Sequence, residues 1–267
     1  MTPGALSPVA RVVVALAGGI ALSVLIYLLA LWLDVSTLAE RPATCTETGC
    51  FCEAPLGVVP MQFANSVSSL GFVFLGVWTL VAARRPAVGS PERRLTPLFG
   101  AALVFIGASS FLYHSTLSFF GQFLDIFSMY IFGILLALGA LYRSGRLGAR
   151  TALALFITLS LSMAVVQFLV PDARRVLFVV LLLPGIVLEL MPFVTGSRPR
   201  SRHVRFIWIG VAAMVVAYVI WILDQTTFFC SAQSPIQGHA IWHLLGAVAA
   251  VMIVAHYRDT QHGASPG

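Results

Sequence analysis

An all-α, polytopic membrane helix bundle is the fold class this sequence predicts, and three observations predict it. Of its 267 residues, 59% are hydrophobic and only 10% are charged, with a mean hydropathy of +0.94. Soluble domains carry about 25% charged residues. The apolar residues gather into eight runs, each near the roughly 20 residues a helix needs to cross a bilayer. The basic residues fall between the runs and favour alternate gaps, as loops on one side of a membrane do.

The runs follow one another closely. The first, 12–33, is too long for a signal-peptide core and is not followed by a convincing small-residue cleavage site, so it reads as a retained helix. Then comes the longest polar stretch, 34–59, with Asp34, Glu40, Glu47 and Glu53 and three of the four cysteines. The next runs are 60–83, 96–114 and 122–142. The runs 150–170 and 175–195 are parted only by Pro171-Asp172-Ala173-Arg174, which makes a tight hairpin rather than one long helix. The last two are 204–224 and 239–257. No internal repeat, low-complexity tract or soluble domain interrupts the series.

All sixteen basic residues are arginine. With eight spans and both termini inside, only Arg41, Arg174 and Arg175 fall on the outer side; the other thirteen are inside. The net charge of +6 is therefore dispersed over inter-helix loops, which excludes a nucleic-acid patch. This orientation puts His114, His239, His243 and Asp125 at the outer side. It puts His203, His256 and His262 at the inner side, where interfacial or solvated roles are expected. Cys45, Cys50, Cys52 and Cys230 all lie outside, where disulfides are permitted. Four cysteines allow three full pairings, and spacing alone does not choose among them.

The outer polar residues carry the chemistry. Residues four apart share a helix face, so His239 and His243 can point at one ion, with His114 supplying a third nitrogen from another helix. Three neutral imidazoles with a fourth position open is a catalytic zinc arrangement. Between His239 and His243 stands Ala240 where soluble zinc proteases carry a glutamate, so the base must come from elsewhere. Asp125, eleven residues after His114 across a short turn, is the candidate. Ser110, one turn below His114 on the same face, can donate to a developing oxyanion or orient a water. A lone membrane histidine commonly serves as an interhelical hydrogen-bond partner; two at i, i+4 with a third and a carboxylate are costly in lipid unless something binds them. Asp224 reads as an interfacial cap, and Asn65 and Gln167 as network residues. Glu189, deep in the sixth run, needs a partner or a proton.

The order Ser-x3-His, an Asp eleven residues on and a late His-x3-His resembles the alkaline ceramidase family. That family belongs to a superfamily of seven-helix membrane hydrolases and adiponectin-type receptors. Phe51-Cys52-Glu53, Asn65-Ser66, Trp221-x-x-Asp224 followed by Cys230, and His239-Ala-Ile-Trp242-His243 are each similar to a family motif, and together they cover about residues 50–258. The resemblance implies a seven-helix ceramidase-like core with one extra N-terminal helix. The divisions are then 1–38 for that helix, 39–260 for the hydrolase domain and 261–267 for a cytoplasmic tail. It implies zinc on His114, His239 and His243, with Ser110 and Asp125 as the other polar members of the site. It implies a Cys52–Cys230 disulfide, which leaves Cys45 and Cys50 as a second pair. The implied reaction is hydrolysis of the N-acyl amide of ceramide or a related lipid in the bilayer. The expected location is a bacterial inner membrane, with cytoplasmic termini and the site toward the periplasmic face.

The chain also departs from the family. Glu53 stands where the family binds calcium, but the neighbouring matching positions are Cys50, Pro55 and Gln62. Calcium takes several oxygen ligands, usually with more than one carboxylate, so no strong calcium site is expected. Long basic side chains that read a headgroup are scarce on the outer side. The rival readings are a zinc-dependent lipid esterase, a receptor-like protein with structural zinc, and a haem-binding electron carrier. Haem usually draws its ligands from facing helices, unlike His239 and His243.

Overall fold

The structure is a computed structural model that describes residues 7–46, 51–81, 90–195, 204–226 and 230–259. Glu47, Cys50, Arg84, Arg85, Arg198, Arg200, Arg202, His203, His262 and the tail 261–267 lie outside the described residues, as does the side chain of Arg258.

Eight helices make up the bundle among the described residues: α1 (Pro8–Asp34), α2 (Phe63–Val81), α3 (Pro91–Thr116), α4 (Phe119–Arg143), α5 (Ala149–Leu169), α6 (Arg174–Val194), α7 (Val204–Asp224) and α8 (Gly238–Asp259). All are long and apolar enough to cross a membrane, and no strand accompanies them among the described residues. The chain is an integral membrane protein. Between α5 and α6 the proline-led hairpin is a single 3-10 turn, Pro171–Ala173.

The central helices meet at close range because glycine lets backbones touch. A Cβ on Gly76 would sit 2.8 Å from the Gly100 carbonyl oxygen, and one on Gly107 would sit 2.8 Å from the Val73 nitrogen. These contacts lock α2 against α3. The buried core runs from Phe72 through Phe99, Leu103 and Phe132 to Ala250 and Tyr257, joining α2, α3, α4 and α8. Helix α1 packs outside this group, with Ile26, Ala30 and Leu33 on Val73, Val77 and Phe111. Helix α5 packs chiefly against α4 and the 3-10 turn, while α6 and α7 scarcely meet. A cavity lies behind that loose seam.

Two expectations change. Helix α4 begins at Phe119, three residues ahead of the expected run 122–142, so Asp125 sits six residues inside it. Leu117 adopts a left-handed φ of 47° that ends α3, and Ser118 caps α4 by accepting from the Gly121 N–H at 3.1 Å. Six residues at 1.5 Å each carry Asp125 about 9 Å along the helix. His256 is neither interfacial nor solvated; it is fully buried, with Nε2 3.5 Å from Glu189 and 3.4 Å from Arg143. Glu189 thereby has its partner: Arg143 forms a short ion pair with it and also lies 3.9 Å from Glu92. Four helices supply these side chains, so no local pattern announces the cluster.

Candidate metal centre

His114 lies in the last turn of α3, and His239 and His243 lie on one face of the first two turns of α8. All three are buried. One ligand nitrogen from each lies within 4.8 Å of the other two, close enough to hold one metal ion.

The local fold fixes both helix ends. Asp224, the last residue of α7, accepts from the Gly238 N–H at 2.8 Å and so caps α8 just ahead of His239. Glu53 caps α2, with its two carboxylate oxygens accepting from Ala64 N–H at 2.7 Å and Asn65 N–H at 2.9 Å. Free N–H groups at a helix start need such an acceptor. The residue expected as a remnant of a calcium site has this structural task.

The backs of two imidazoles are pinned. Gln62 donates its Nε2 to the Glu53 carbonyl at 2.8 Å, which turns its Oε1 toward His114 Nδ1 at 2.9 Å. An amide oxygen only accepts, so His114 carries its proton on Nδ1 and presents Nε2 as a lone pair. Ser68 donates its single proton to the Asn65 carbonyl at 3.0 Å and faces His243 Nδ1 at 2.9 Å. In the Nδ1–H tautomer of His243, Nε2 is left bare and that oxygen accepts from Nδ1. Ser69 lies 3.3 Å from the same nitrogen. His239 Nε2 faces His114 Nε2 at 3.2 Å, and Phe51 stacks on the His239 ring at 3.9 Å. His239 Nδ1 is buried with no hydrogen-bond partner among the described residues.

This arrangement fits a cation. His114 presents a bare Nε2, and His243 in its Nδ1–H tautomer does the same, so lone pairs converge where a metal can take them. Orienting the far nitrogen of a ligating histidine is what residues behind a metal normally do. Neutral imidazoles in a set of three suit zinc among the common ions.

Ser110 lies beside this centre, its Oγ 3.3 Å from His243 Nε2 and 3.1 Å from Ser69 Oγ, and it hydrogen-bonds the Asp125 carboxylate. All five polar residues singled out in the sequence are thus brought to one end of the bundle. Ser110, Asp125, His239 and His243 face a cavity that runs down between α4, α6, α7 and α8 past Phe132, Leu182, Met214 and Ala250. The lining is mainly apolar, as in pockets that bury most of a ligand.

The Cys52–Cys230 disulfide, with Cα atoms 5.4 Å apart, ties the Phe51 segment to the loop before α8. The Ala54 N–H donates to the Ala232 carbonyl at 3.0 Å and reinforces that tie. Cys45 is disulfide-bonded as well, and its Sγ accepts from the Tyr113 hydroxyl at 3.0 Å. Gln62, Ser68, Ser69 and Phe51 were not singled out for the site. The available signal was the polar stripe Asn65, Ser66, Ser68 and Ser69 in an otherwise apolar span.

A family model described as Ceramidase matches residues 46–264. No curated protein matches the chain.

Proposed function

The chain belongs to the ceramidase family, and from that premise we propose that it is a zinc-dependent amidohydrolase of membrane lipids. It cleaves an N-acyl amide, as in ceramide, to a free amine and a fatty acid. One observation carries this reading: the imidazoles converge, with Asp125 and Ser110, at the head of a mostly apolar cavity.

His114, His239 and His243 are the residues to hold the ion. When bound, zinc supplies a Lewis acid that acidifies water toward pKa about 7 and polarises a carbonyl. The protein's own groups do the rest. Asp125 accepts a proton from the attacking water and returns it to the leaving nitrogen, since an amine departs only once protonated. Ser110 holds the Asp125 carboxylate beforehand. Once Asp125 is protonated it no longer needs that hydrogen bond, and the Ser110 hydroxyl is free to turn toward the oxyanion. Phe51, fixed by the disulfide, covers His239 and limits water. The apolar walls receive the acyl chain.

The bias of the arginines supports a site at the outer, periplasmic face of a bacterial inner membrane. The matched stretch begins after α1, which supports residues 1–38 as an added anchor. The test uses purified full-length protein loaded with zinc and a fluorescent ceramide. Wild type releases fatty acid and Asp125→Asn releases almost none; a zinc-loaded wild type that cleaves no N-acyl lipid refutes the assignment.

A further inference from the structure

Two of the three outer arginines, Arg174 and Arg175, line the mouth of the same cavity. They are adjacent and form the first residues of α6, whose first turn carries no acidic residue. A helix start is already partly positive and disfavours cations, so this is a poor place for arginine on structural grounds alone.

Their hydrogen-bond partners are neutral. Arg174 donates to the Pro171 carbonyl at 3.0 Å and to Thr44 Oγ1 at 3.2 Å. Arg175 donates to Gln225 Oε1 at 3.1 Å and lies 4.8 Å from the centre of the Trp221 ring. The Arg174 side chain is only 17% exposed, yet its carboxylate neighbour Asp172 is 3.8 Å away and 96% exposed. That separation exceeds a hydrogen bond, and so exposed a carboxylate is screened by water. Among the described residues, no ion pair joins either guanidinium to Asp125. The mouth therefore holds two positive charges, and among the described residues only the exposed Asp172 carboxylate pairs with either of them. Arg41, exposed like Arg175, differs in that it packs 3.7 Å over Phe119 and does not line the cavity. Anchoring to bilayer phosphates asks no more than Arg41 provides.

We propose that Arg174 and Arg175 form a headgroup site for a tetrahedral oxyanion, phosphate or sulfonate, on the amine half of the substrate. The inference rests on the amidase reading of this cavity and narrows it: the preferred lipid is an N-acylated amine with an anionic headgroup rather than neutral ceramide. The planar guanidinium fork matches two oxygens of such a group. The chains then extend past Trp221 and Trp242 into the apolar part of the cavity, with the amide between the charged mouth and Asp125.

The test measures binding of two fluorescent N-acyl sphingoid lipids, identical except for a phosphate on the terminal hydroxyl, to the full-length protein in neutral detergent. The phosphorylated lipid binds on the order of tenfold more tightly. That ratio falls toward one in Arg174→Gln/Arg175→Gln and is kept in Arg41→Gln. If the double variant does not fold, Arg175→Gln alone must lower the ratio. Equal affinities in wild type, or a preference that survives the arginine substitutions, overturn the proposal. Turnover of the same lipids keeps the two readings apart. Cleavage of the neutral lipid without phosphate-selective binding removes the headgroup site alone. Selective binding with neither lipid cleaved removes the amidase reading alone.

Discussion

At the end of the bundle away from the histidine centre, Arg143 bridges Glu189 and Glu92, His256 lies against Glu189, and the Arg143 guanidinium rests 4.4 Å over the Tyr257 ring. At the other end, three imidazoles meet with Gln62 and Ser68 behind two of them. Both groups are buried, and Phe132, Leu182, Met214 and Ala250 line both the large cavity and a smaller space that reaches Glu189. The arginine–glutamate cluster is made of opposite charges that answer one another across α3, α4, α6 and α8. The histidine centre gathers ligand nitrogens from three imidazoles, each able to offer a lone pair. A polar group in lipid has to be satisfied; the first cluster pairs its charges with one another, while the second leaves a place for something from outside. The arginine–glutamate cluster therefore clasps the bundle, and the histidine centre is where chemistry is expected.

The contrast sets what substitutions should do. The largest effect belongs to Asp125. Asp125→Asn keeps shape but cannot take a proton, and should lower kcat by about 10²–10⁴-fold, measured as fatty acid release, with metal content and unfolding midpoint unchanged. Next is the clasp. Glu189→Gln leaves Arg143 short of a buried partner and should cost about 3–5 kcal/mol of stability, read by denaturant unfolding in detergent, while metal binding in the folded fraction stays as in wild type. A fall in metal affinity there would erase the distinction between the two ends. Gln62→Ala removes the group that fixes the His114 tautomer and should weaken metal binding by about 10–100-fold, measured by chelator competition. The smallest effect is at Asp224. Asp224→Ala removes a cap from α8 and should cost about 0.5–2 kcal/mol, seen in the same unfolding assay.

The eight helices were legible because hydropathy and arginine placement each report them. The three histidines and Asp125 were legible because such residues rarely persist in lipid without a task. The supports behind them were not, because serine and glutamine on a membrane helix look the same whether they serve packing or a ligand. Ser68 acquires its role only when α8 is packed against α2. The depth of Asp125 depends on Leu117 turning left-handed and Ser118 capping, and an apolar run does not record either. Arg174 and Arg175 were visible as two outer charges, but counting charges by side conceals that both sit at one cavity mouth. His256 was misread for a related reason: its surroundings come from α4 and α6, far away in the chain.

The most direct test of the central claim is the metal content of the purified full-length protein after zinc reconstitution and removal of loosely held metal. About one tightly held zinc per chain is expected in wild type, with loss of that zinc in His243→Ala. A wild type that stays metal-free, or a His243→Ala variant that holds zinc as tightly as wild type, would contradict that claim.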